Sequence, residues 1–283
     1  MTAAFTIAPR GPFSLAEARD FLGSFRPAGQ PADATGFDLV VEGAVVRLRE
    51  DGDGVHASVV AGAGRDDLEA EVTRILSLDH DATGWAELGE RDPVLGEVQR
   101  ARPGLRPVLF GTPWEAAVWS ILTQRTQHRQ ALRAREQLVA AAGTPLSLDG
   151  TSYRPFPAPE AVLELGELPL PSVKAERVRG VAQAALDGEL DPDRLRGMDP
   201  EDAMAAVLEL PGIGPFSSAL IVIRGGAQPT RPRRSSRGSA PSRRSATTTP
   251  RWRSRTRSRR SPSAGGRGAR GRRSRCGRLR LAG

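Results

Sequence analysis

Between Ser14 and Leu22 the apolar residues Leu15, Ala18, Phe21 and Leu22 recur at helical spacing behind a Ser14-x-x-Glu17 capping box. The spacing predicts a short amphipathic helix. Residues 37–49 (FDLVVEGAVVRLR) and 55–61 (VHASVVA) are Val-rich and are separated by Asp51-Gly52-Asp53-Gly54, where Asp-Gly supplies the positive φ of a tight turn. A β-hairpin in a small sheet is expected there. Asp66 or Asp67 can then cap a helix that carries Leu68, Val72, Ile75 and Leu76 on one face. Strands and helices are segregated rather than alternating, so the N-terminal part reads as α+β.

After Pro93 the pattern is helical. Thr112-Pro113-Trp114-Glu115 combines an N-cap, a proline at the first helical position and a capping-box glutamate, and the helix it opens turns Val118, Ile121 and Leu122 inward. A second helix over 129–142 stops at Gly143, and 144–171, with six prolines, reads mostly as connection. Lys174 to Leu186 is a third helix, ending near Asp187-Gly188. Asp199-Pro200-Glu201 starts another, which meets Leu210-Pro211-Gly212-Ile213-Gly214-Pro215 before Phe216 to Ile223 turns helical again.

Charge divides the chain in two. From Gly226 to the end there are 19 of the 41 basic residues and none of the 33 acidic ones, so residues 1–225 are net −11 and the tail net +19. The pI of 11.1 belongs to the tail, and any nucleic-acid reading of the body must come from a site. Cys276 is the sole cysteine, so no disulfide or Cys-ligated cluster forms within one chain, and His56, His80 and His128 lack metal-ligand spacing. No metal or cofactor is expected. The N-terminus lacks a basic start followed by an apolar run, and no stretch approaches the ~18 apolar residues of a membrane span. A soluble cytoplasmic protein, on the nucleoid when bound to DNA, is the expectation.

The two helices joined by LPGIGP carry the most chemistry. Gly212 and Gly214 can adopt backbone angles closed to other residues and leave no side chain between main chain and ligand. Their N–H groups, with those that open the next helix, can grip a DNA phosphate; such a contact positions a protein without reading sequence.

LELPGIGPFSSALIVIRG resembles the hairpin segment of the helix-hairpin-helix DNA glycosylase superfamily. TPWEAAVWSILTQRTQHRQALRAREQLVAAAG is similar to its signature helix pair, with Ile121 to Arg125 standing where the family has a run like ILGQQ. The stretch from Leu168 to Leu210, including Lys174 to Arg177, matches the family's approach to the hairpin. With the α+β part in front, the resemblance is to the alkylated-base (3-methyladenine) branch and covers about 220 residues. It implies an α+β domain over 1–85, a helical glycosylase domain over 86–225 and a disordered basic tail over 226–283, in a monomer whose partner is duplex DNA with damaged bases. It further implies removal of an alkylated purine swung out of the duplex.

An N-alkylated purine is cationic and is attracted to aromatic faces. Trp114 and Trp119 are the candidate ring surfaces, against core packing as the alternative, with Gln124 as a polar contact; Leu210, Pro211, Gly212, Ile213, Gly214, Pro215 and Phe216 are the candidate DNA-binding residues. The lyase branch carries a Schiff-base lysine where Phe216 stands, and the one lysine of this chain is Lys174. A water-dependent, monofunctional hydrolysis is therefore implied.

The resemblance ends before the family's catalytic aspartate, which follows the second hairpin helix by about a dozen residues. The stretch Arg233 to Ser239 reads RRSSRGS, and no acid follows. No catalytic acid is assigned, since Asp199, Asp202 and Glu209 read as caps and solvated positions. The tail is either an Arg-rich arm adding phosphate contacts or another reading frame of a GC-rich gene, with the break near 225–230. Two functions stay open: a glycosylase whose catalytic end is replaced, and a non-catalytic DNA-binding protein.

Overall fold

The computed structural model describes residues 4–24, 37–41, 43–63 and 67–229. The disorder expected of the tail, and Asp66 as a cap, lie outside the described residues. Strands β1 (Ala4–Ile7), β2 (Phe37–Val41), β3 (Ala44–Asp51) and β4 (Gly54–Gly62) form an antiparallel sheet in the order β1-β4-β3-β2. The expected β4 hairpin is present. The run 37–49, read as one stretch, is two strands, because the chain reverses at Gly43 with φ +83°. A continuous valine run has no period that marks a reversal. The positive φ of the other turn falls on Gly54, at +137°, rather than on Gly52, and Asp53 N–H closes that turn on Asp51 Oδ1 at 2.9 Å.

Alternation decides which sheet face is buried. Phe37, Leu48, Ala57 and Phe5 stand opposite one another across all four strands. Helices α1 (Leu15–Ser24) and α2 (Leu68–Ile75) add Leu15, Ala18, Leu22, Val72 and Ile75 to the same hydrophobic cluster. The Ser14 cap is made, with Glu17 N–H on Ser14 Oγ at 3.3 Å.

Helices α3 (Trp85–Arg91) and α4 (Pro93–Ala101) then cross closely, since a Cβ on Gly96 would stand 2.6 Å from Gly89 O. Helix α5 (Pro113–Thr123) runs through the second hydrophobic cluster and is buried from Pro113 to Leu122, its Thr112 cap accepting Glu115 N–H at 3.0 Å. Around it lie α6 (His128–Ala142), α7 (Pro159–Glu164), α8 (Ser172–Leu186), α9 (Pro192–Gly197), α10 (Pro200–Leu208) and α11 (Pro215–Leu220), the last running into a π-helical turn over Ile221–Gly225. The segment 144–171 is more than connection. It holds a hairpin of β5 (Leu146–Leu148) and β6 (Thr151–Tyr153) whose turn, Asp149-Gly150, has both φ values positive, as a two-residue type I′ turn requires. Three-residue strands are too short for a period to reveal.

Polar ties join the two parts. Asp38, fully buried, takes Arg47 in a two-pronged pair at 2.8 and 2.9 Å and accepts Tyr153 Oη–H at 2.7 Å, so the β5–β6 hairpin is fastened to the sheet. Burial opposes ionisation of Asp38, but the hydrogen bonds from Arg47 and Tyr153 and the Arg47 charge outweigh it and hold the carboxyl below its ordinary value. A depressed carboxylate stabilises above its unfolded pKa and loses that contribution as pH falls through the folded one. Asp38→Asn is expected to cost about 2 kcal/mol near neutrality, with the gap to wild type narrowing below about pH 4; urea melts at both pH values check this.

Candidate nucleic-acid interface

The hairpin is seated by its apolar residues. Leu210 and Ile213 are buried in the helical cluster, and Pro211 packs so closely on α8 that a Cβ on Gly180 would stand 2.8 Å from its ring. Ile213 N–H returns to Leu210 O at 3.1 Å and closes the turn. The two glycines differ. Gly212 has φ +78°, and a Cβ there would meet Arg177 Cδ at 2.4 Å, so both conformation and space exclude a side chain. Gly214 is extended, φ −108° and ψ 176°, an N-cap geometry open to any residue, and beyond its two chain neighbours nothing lies within 4 Å of where its Cβ would be. The expectation that both glycines serve unusual backbone angles therefore holds for Gly212 alone. At Gly214 the missing side chain leaves open space above the backbone, which matters to a ligand and not to the fold.

Pro215 takes the first helical position and has no N–H; the N–H groups of Phe216 and Ser217 in the first turn have no acceptor within their own helix. Phe216 is 81% exposed, an isolated aromatic ring beside these donors. Backbone donors, a bare Gly214 and an open ring together can hold an anion and offer a stacking face.

The residues assigned to a base pocket are not brought together. Trp114 is buried, donates Nε1–H to Pro157 O at 2.9 Å and tilts against Phe156 at 5.8 Å. It lines a cleft of about 440 Å³ with Glu115, Arg135 and Phe156, at the opposite end of α5 from the hairpin, and neither Trp119 nor Gln124 lines that cleft. Trp119 is buried with its ring edge-on to His128 at 5.5 Å. Gln124 has both amide ends taken: Nε2 donates to Gly212 O at 2.5 Å and Oε1 accepts Arg177 Nη1–H at 2.7 Å. It holds the hairpin rather than facing a ligand. Both tryptophans are packed in the core because α5 is buried from Pro113 to Leu122, its polar residues Glu115 and Ser120 included.

Sequence reasoning missed two contributors. Lys174 Nζ donates to Leu122 O and Thr126 Oγ1, both at 2.6 Å, and Arg125 between them has φ +49°. The spacing of Lys174 and Arg177 places them on one face, but nothing local tells which carbonyls they reach. Burial, and secondarily the Arg177 charge, lowers the Lys174 pKa. Among the described residues no group of three or more His, Cys, Asp or Glu could hold a metal ion, and no helix is long and apolar enough to cross a membrane.

No protein-family model matches the chain. Over 165 residues, 56% of its length, it is 28% identical to the DNA-3-methyladenine glycosylase of Bacillus subtilis (strain 168), of which it covers 54%. Over 190 residues, 65% of its length, it is 30% identical to a probable bifunctional transcriptional activator/DNA repair enzyme AlkA of Mycobacterium tuberculosis, of which it covers 38%. The chain thus spans about half or less of the length of these curated relatives. Its fold is that of the 3-methyladenine DNA-glycosylase from Archaeoglobus fulgidus, with TM-score 0.58, 16% identity and 80% of each chain covered. It matches equally a Clostridium acetobutylicum 8-oxoguanine glycosylase/lyase in complex with double-stranded DNA, with TM-score 0.59, 15% identity, and 81% of this chain and 79% of that one covered. The chain is thus similar in fold to these DNA glycosylases, and in sequence to curated relatives named as a DNA-3-methyladenine glycosylase and as a probable DNA repair enzyme AlkA.

Proposed function

We propose that this protein binds duplex DNA through the Gly212–Phe216 hairpin and releases alkylated purines of the 3-methyladenine kind as a monofunctional glycosylase. The observation that carries the reading is Gly214, whose bare backbone opens onto space that nothing in the fold needs. Phosphate is the ligand that such a row of N–H donors suits. Phe216 supplies the exposed ring face at the site, which a cationic alkylated base would find favourable. Trp114 and Trp119 keep α5 in place, and Gln124 fixes the hairpin carbonyl. With Phe216 in place of an amine nucleophile, and Lys174 engaged elsewhere, the reaction ends with the base removed and the strand intact. The test is to incubate methylated duplex with the full chain: free alkylpurine with uncut strands is expected, and strand cleavage by the protein would overturn the monofunctional assignment.

A second reading has its own observation. No acidic side chain follows Glu209 in the sequence, while 20 arginines do, and Asp199 is occupied as the cap of α10, accepting Glu201 N–H at 3.0 Å. A DNA-binding protein without catalysis would hold DNA with a steep salt dependence that is largely lost when residues 226–283 are removed. A salt response unaffected by that deletion would count against it.

A further inference from the structure

Two backbone segments beside each other, the α5–α6 turn and the hairpin, are held from a single turn of α8. Lys174 reaches the turn: its Nζ bonds Leu122 O at the end of α5 and Thr126 Oγ1, whose own proton goes to Gln124 O at 2.8 Å. Between these anchors stands Arg125, exposed, in a left-handed conformation that a residue other than glycine keeps only where its surroundings impose it. Arg177 reaches the hairpin, bonding Gln124 Oε1 while the other end of that amide holds Gly212 O, and its own stem fills the space above Gly212.

Charge singles out the same place. Among the described residues, none of Lys174, Arg177, Arg125 and Arg129 has a carboxylate within ion-pair distance, although ion pairs tie down arginines elsewhere, such as Arg47, Arg74 and Arg135. In a body of net charge −11, Lys174 and Arg177, with Arg125 between the lysine's anchors, make a local positive spot adjoining the hairpin. The Lys174 ammonium meets two neutral oxygens, so its charge is left for whatever approaches from outside.

We infer that Lys174 and Arg177 form a positioning brace that couples the two segments, so that Arg125 and the Gly214 backbone engage the DNA backbone together. This rests on the DNA-binding reading above. In the brace, Arg125 makes the contact and Lys174 acts through it.

The experiment is equilibrium binding of the full-length protein to a fluorescent duplex across a salt series. Arg125→Ala is expected to weaken binding about tenfold and to lower the salt slope by about one. Lys174→Met reproduces both changes, the double variant is no weaker than either single one, and Lys174→Arg stays within about threefold of wild type. Thr126→Val, which removes one anchor without touching the lysine, shifts affinity in the same direction while thermal unfolding stays near wild type; it decides the matter if Lys174→Met does not fold. Additive losses in the double variant, or wild-type binding by Lys174→Met or Thr126→Val, overturn the brace alone. A wild-type protein that does not bind duplex sinks the DNA reading and the brace together.

Discussion

Gly214→Asp is expected to abolish most DNA binding while leaving the fold as stable as wild type or slightly more so. A Cβ at this position meets nothing within 4 Å beyond its chain neighbours, and Gly214 already has the extended N-cap geometry that aspartate favours. Its carboxylate can accept the free N–H groups of the α11 first turn, a gain of a few tenths of a kcal/mol over glycine. The same carboxylate occupies the place proposed for a phosphate. Losing those donors and adding like charge is expected to weaken binding by on the order of 100-fold, about 2.7 kcal/mol. Thermal unfolding and fluorescence anisotropy on one preparation check both halves. A variant that keeps wild-type affinity would show that the open space at Gly214 is not where DNA lies.

The largest stability effect is expected at Arg74, which is 2% exposed. Its guanidinium pairs with Glu71 at 2.5 Å, donates to Gly225 O at 2.7 Å and Phe110 O at 3.3 Å, and also to Gly111 O. One side chain on α2 therefore fastens the sheet-bearing part to the start of α5 and to the π-helical turn after α11. Arg74→Met leaves Glu71 buried without its cation and three carbonyls without this donor. Breaking a buried pair from one side costs about 3–5 kcal/mol, a large share of the 5–15 kcal/mol that holds a typical domain together. Adding Glu71→Met to that variant removes the stranded charge and is expected to restore part of the loss, read from urea denaturation midpoints. No recovery would mean that the carbonyl contacts, rather than the ion pair, dominate.

The elements that declare themselves in the sequence are those with local punctuation. Ser14, Thr112 and Asp199 act as caps where the sequence places them, because a cap is a contact between residues two or three apart. The hairpin was legible for the same reason: Pro-Gly-Ile-Gly-Pro states its own backbone needs. What stayed hidden depends on distant partners. The identity of Gln124 is visible, but its engagement with Gly212, 88 residues away, is not. Trp114 and Trp119 look the same in sequence whether they face a ligand or a core, and only the packing around α5 assigns them to the core. Exposure is likewise a property of the assembled chain, so Phe216, noted for the amine it lacks, emerges as the open ring at the site only in three dimensions.

The activity proposed for this protein is release of alkylated purines from DNA held at this hairpin. The most direct measurement is release of free base from a methylated duplex under single-turnover conditions, followed in parallel for the wild-type chain and Gly214→Asp. Release of alkylpurine by the wild type with intact strands, and none above background by the variant, is the predicted result. Wild-type protein that binds the duplex yet releases no more base than the variant would contradict the catalytic claim and leave the non-catalytic DNA-binding reading in its place.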